Sequence, residues 1–153
     1  MASNSQIIRT SMQLVLVFVV LGLSYVLYNS ITEPYEGIER EREMTVLTRE
    51  RMDKVRTVLG VFSRENRRFP KTIDSLVVFA KTDSLMTVSR DSLLGAGFVL
   101  DSLVFSPRTG KKFEYAVNDT SRVKIYLLKD PDSNDQIGSL DPDITLLNAA
   151  NWQ

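Results

Sequence analysis

The stretch "DPDSNDQIGSLD", Asp130 to Asp141, holds the residues best suited to chemistry. Calcium loops take oxygen ligands at positions 1, 3, 5 and 12 and an apolar residue at position 8. Those places here hold Asp130, Asp132, Asn134 and Asp141, with Ile137 at the eighth. Hard carboxylate and amide oxygens at that spacing would converge on one cation, and calcium is the cofactor they suggest. Two positions depart from the pattern. Asp135 stands where the sharp turn calls for glycine, and Asp141 is shorter than the usual bidentate glutamate. A polar turn rich in Asp and Asn, holding no ion, is the plainer reading of the same residues.

A second cluster, Arg108, Lys111 and Lys112 in "SPRTGKK", reads as a solvated turn rather than an anion site. Other chemistries are closed by composition. The chain has no cysteine and no histidine, which removes disulfides, thiolate and imidazole metal ligands, and Ser-His-Asp or Cys-His catalysis. Acidic residues are plentiful, but nothing marks two as facing each other across a cleft, and no phosphate-loop or nucleophile signature is present. The expectation is a protein that is not an enzyme. Lys plus Arg number 19 and Asp plus Glu 19, so no basic field recruits nucleic acid.

The elements that must position these residues fit a chain of 153 residues: one modest domain and an appendage. Thr10 to Thr32 carries no charge, and Leu14 to Tyr28 is apolar apart from Gly22 and Ser24. At about 1.5 Å per residue such a run crosses a hydrocarbon core of about 30 Å. Tyr25 and Tyr28 stand near one end, where amphipathic rings favour the interface. No small-x-small cleavage site follows, so a retained anchor over residues 11–32, behind a short head of residues 1–10, is expected. Counting basic residues alone would set Arg9 and the amino terminus against Arg40, Arg42 and Arg49 beyond the span. The short, acid-free head still points to an inside amino terminus.

Pro34 disfavours a helical Glu33, which predicts a break at "TEP" and a new helix near Glu36. Residues 33–50 read as a charged stalk, with Glu36 placed to pair with Arg40. Beyond it, Met52, Val55, Leu59 and Phe62 form one apolar stripe that must face a core. The stem ends at Phe69–Pro70, where Thr72 can cap a short helix with Ile73, Leu76, Val77 and Ala80 on one face. Phe62, Phe69, Leu76 and Phe79 are expected to meet beneath that corner. Three strands follow: Phe98–Phe105, then Phe113, Tyr115 and Val117 in alternation, then Val123, Ile125 and Leu127. The only tryptophan, Trp152, is expected to pack back on the body. The fold class is α+β: a transmembrane helix, then a long amphipathic stem packed on a small antiparallel meander. The domain spans residues 51–128, and an Asp-rich loop and tail cover 129–153.

"VFSRENRRFPKTIDSL" resembles the segment of type IV pilins and type II secretion pseudopilins in which the long helix ends in Tyr-x-x-x-Asn-x-x-Tyr-Pro-Thr. Phe62, Asn66, Phe69 and Pro70 take the corresponding places, with Thr72 one residue beyond that of the threonine. "SPRTGKKFEYAV" is similar to the pseudopilin Asp-Pro-x-Gly-x-x-Tyr-x-Tyr segment. The resemblance covers about residues 50–80 and extends more weakly to 128. "YNSITEP", "FAKTDSL" and "NAANWQ" are similar to stretches of single-span proteins from Bacteroidota, which implies membership and no mechanism.

The pilin resemblance implies a pilin-like fold and a structural subunit of an envelope assembly, a secretion or pilus-type machine. It places the chain in a bacterial inner membrane with its carboxy-terminal domain in the periplasm. The partners it implies are the lipid bilayer, other envelope proteins and further copies of the chain. Pseudopilins can bind calcium in a carboxy-terminal loop, so a calcium-responsive periplasmic binding module without a filament role is the alternative. The chain departs from pilins in having no acidic residue before Glu33, which implies that it is not processed and polymerised as they are.

Overall fold

The computed structural model describes residues 2–120, 123–141 and 143–153, and the side chains of residues 2–7, 31–34, 36 and 144 lie outside that description. Two compact units are present, Met1–Glu43 and Met44–Gln153. Residues 44–50, expected in the stalk, and 129–153, expected as a separate tail, both lie within the second unit.

One helix, α1 (Ala2–Asn66), runs through both units. Its segment Ile8–Ser30 is long and apolar enough to cross a membrane, with a mean hydropathy of 2.1 and none of it buried. The break expected at Glu33–Pro34 is absent. Proline removes one backbone donor, but its fixed φ is itself close to helical. One lost bond therefore need not end a helix that continues for several turns on either side. Glu39 to Glu43 are exposed, as a solvated stalk requires; the expected Glu36–Arg40 pair involves a side chain outside the description.

Within the second unit α1 buries Thr48, Met52, Val55 and Leu59, spaced four, three and four, together with Val58. This is the expected stripe, and Phe62 continues it partly buried. The helix ends at Asn66, three residues before the expected stop, because Arg67 turns into the left-handed region at φ 52. Phe69 and Pro70 are then both buried.

The next helix, α2 (Ile73–Thr82), buries Ile73, Leu76 and Ala80. Thr72 occupies its N-cap position but makes no cap bond; its hydroxyl meets Ser75 Oγ at 3.4 Å instead. The expected cluster beneath the corner is present: Phe62 meets Phe79 edge-on at 4.9 Å, and Phe69 meets Tyr126 at 4.8 Å. Asp83 accepts a bond from the Met86 amide and starts α3 (Ser84–Leu94), which buries Met86 and Leu94.

The sheet differs from expectation in two ways. Phe98–Phe105 is not a strand. It forms a 3-10 turn at Leu100–Ser102, then a single bridge from Phe105 to Lys112. Its apolar residues recur at three and four, so turns that bury Leu100, Leu103 and Val104 serve them better than alternation does. The three strands are β1 (Glu114–Asn118), β2 (Ile125–Lys129) and β3 (Gln136–Gly138), antiparallel in that order.

Phe113, Tyr115 and Val117 face the core as expected. On β2, Tyr126 and Leu128 join the core, paired with Val117 and Tyr115; of the expected Val123, Ile125 and Leu127, only Ile125 is fully buried, and Val123 and Leu127 are half-buried. Four consecutive apolar residues, Ile125 to Leu128, leave the alternation of that strand undetermined. The tail closes the sheet edge: Gly138 N–H donates to Ala149 O and Asn151 N–H to Gln136 O. Gly138 is obligatory at φ 78, since a Cβ there would lie 2.3 Å from Tyr126 O.

Candidate functional site

The Asp130–Asp141 segment is a hairpin rather than an open loop. Asp130 N–H donates to Asp135 O at 3.0 Å and closes the turn between β2 and β3. Ile137, at the eighth position of the calcium pattern, is the buried centre of β3 opposite Leu128.

The four expected ligands have separate roles. Asp132 is held by the 106–111 turn: Lys111 Nζ lies 2.6 Å from its Oδ1, and the Thr109 hydroxyl donates to its Oδ2. The Lys111 bond, then the Thr109 bond, hold its carboxyl below the usual range. Asn134 gives its backbone carbonyl to Asn151 Nδ2 at 2.6 Å. Asp141 is exposed beyond β3 and accepts from Ser139 Oγ at 3.4 Å. Three extended residues between the turn and Ser139 span about 10 Å. Only Asp130 keeps both oxygens without a hydrogen-bond partner, and it is completely buried.

Calcium takes six to eight oxygens. One free carboxylate does not meet that need, and among the described residues no group of three or more acidic side chains is arranged to hold a metal ion. The residues in this arrangement do not fit calcium as a set.

What the hairpin does instead is grip the stem. Asp135, the misfit at the glycine position, is 8 % exposed and takes a two-pronged bond from Arg49, Nε to Oδ2 at 3.0 Å and Nη2 to Oδ1 at 2.9 Å. The forked geometry fixes orientation as well as charge, and the bond to Asp135 raises the Arg49 guanidinium further. The Arg49 guanidinium also lies 5.2 Å from the Trp152 ring, so the tail packs at the same place, as expected.

The 106–111 turn grips α1 as well. Arg108 Nη2 donates to Thr45 Oγ1 at 2.8 Å, and Arg51 Nη1 reaches the Ser102 and Phe105 carbonyls. The expected solvated basic turn is therefore engaged at each cation: Arg108 with Thr45, Lys111 with Asp132, Lys112 with Asp74. Thr48 Oγ1, Ser106 Oγ and Arg108 Nε are buried without partners among these contacts. They make this junction a polar patch within an otherwise apolar core.

Sequence reasoning missed the Arg49–Asp135 pair because its members lie 86 residues apart. The one available signal was that Asp135 spoils the calcium pattern, which a residue kept for another purpose would do.

At the other end of α1 within this unit lies a groove of about 390 Å³, lined by Phe62, Arg68, Phe69, Pro70, Lys71, Thr72 and Ser75. Tyr115 donates its hydroxyl to Pro70 O at 2.9 Å and fixes the groove floor to β1. Lys124 Nζ donates to Arg67 O at 2.9 Å and fixes the corner to the start of β2.

Comparison of the chain with family models, with curated proteins and with solved structures gives no match.

Proposed function

We propose that this protein is a membrane-anchored structural subunit of a bacterial envelope assembly, with a pilin-like body that meets other proteins. The observation that carries the reading is α1. One helix bears an exposed apolar run at Ile8–Ser30 and, further along, the buried stripe Met52, Val55 and Leu59 beneath a three-stranded antiparallel sheet. The same helix supplies both a candidate anchor and part of the body's core, so the body is tied to a bilayer by its own fold, which suits a scaffold more than a diffusing binder. In this reading the body lies in the periplasm and the anchor in the inner membrane.

The test is a mild-detergent pull-down at native expression level, with the tag at the amino terminus because the tail is part of the fold. Secretion or pilus components are expected in fixed proportion to the bait. Recovery of the protein alone would overturn the reading.

A further inference from the structure

Among the described residues of the second unit, ion pairs join Arg49, Lys54, Arg56, Lys81, Arg90, Lys111 and Lys112 to acids, and Arg51 and Arg108 bond to carbonyl and hydroxyl oxygens. Lys129 on β2 stands singly without an ion pair, whereas at the helical corner such cations are clustered. Arg64, Arg67, Arg68 and Lys71 fall within eight residues, all exposed, and Lys124 is joined to them through its bond to Arg67 O. Among the described residues none of these five has an acidic partner within ion-pair distance. Glu65 is the one acid in the run, and it forms no ion pair with any of these cations.

Charges left together repel one another, and an anionic partner relieves that repulsion beyond what water and counter-ions do. Arg68 and Lys71 line the 390 Å³ groove together with Phe62, Phe69, Pro70, Thr72 and Ser75. An open groove that sets apolar surface beside cations and hydroxyls suits a polypeptide that offers acidic side chains beside an apolar one. It suits a flat layer of lipid headgroups poorly, since they cannot enter it.

We propose that this corner is a docking site for an acidic, apolar-anchored segment of a partner protein, with Arg68 and Lys71 as its principal contacts. This rests on the reading that the body meets other proteins, and it names the surface at which it does so.

The experiment uses the full chain in nanodiscs of zwitterionic lipid and a fluorescein-labelled peptide of about a dozen residues alternating glutamate with leucine. Fluorescence anisotropy is expected to show binding that weakens with salt and falls about tenfold or more in Arg68→Glu/Lys71→Glu. The reversal Lys81→Glu/Arg90→Glu, elsewhere on the surface, should leave affinity within about twofold. Both doublets replace exposed side chains, and circular dichroism melting verifies that each folds. Equal loss in the two doublets, or no binding by wild type, overturns the proposal. Binding of phosphatidylglycerol vesicles without binding of the peptide also overturns it, in favour of a membrane contact.

The same Arg68→Glu/Lys71→Glu protein in the pull-down separates the two ideas. Partners retained in full by the doublet sink the docking site alone, whereas no partners for wild type sinks the assembly reading.

Discussion

Asp130 is the residue whose surroundings least explain it. A carboxylate removed from water with neither oxygen bonded costs several kcal/mol, a large share of the stability of a domain this size. If it holds nothing, Asp130→Asn removes a charge and keeps the shape, and the melting temperature should stay level or rise by a few degrees, worth about 1–2 kcal/mol. Adding a chelator should shift neither wild type nor variant. A fall in the variant that a chelator reproduces in wild type would show that Asp130 carries a cation, and would revive the calcium-responsive alternative. Asp135, five residues on, is the contrast: equally acidic, nearly as buried, but held in a fork by Arg49.

The elements are decided at their ends. α1 stops because Arg67 adopts φ 52, a conformation that costs a residue with a Cβ about 1 kcal/mol and glycine almost nothing. Arg67→Gly should therefore raise stability by about 0.5–1 kcal/mol in denaturant titration, and a loss would mean that the arginine side chain itself secures the corner.

The stem stripe and the aromatic cluster at that corner were legible because period and proline both point one way. Phe98–Phe105 was not, because its apolar residues at 98–100 and 103–105 satisfy strand composition and turn spacing equally. β3 is three residues long, and Ile137 fits the centre of a short strand as well as the eighth place of a calcium loop. The candidate site was legible as residues and not as contacts. The grip of Asp135 on Arg49 and of Arg108 on Thr45 depends on which distant segments meet, and local pattern carries no trace of that.

At the scale of the whole molecule, the core has an alkaline limit. Burial pushes the hydroxyls of Tyr115 and Tyr126 well above the ordinary tyrosine range. A folded-state pKa raised above the unfolded one gives stability that is complete below about pH 10 and lost as pH climbs through and beyond that value. Melting temperature should drop steeply above about pH 10. Tyr115→Phe/Tyr126→Phe should melt lower at neutral pH, having lost the bonds to Pro70 O and Asn148 Oδ1, but should decline less on the alkaline side. Parallel curves for the two proteins would refute the assignment.

The closure of β3 by Ala149, Ala150 and Asn151 also has a consequence in time. The segment that completes the sheet edge lies more than a hundred residues along the chain from the apolar run at Ile8–Ser30. That run therefore leaves the ribosome first, and is free to reach a bilayer while Ile137 still lies at an open sheet edge.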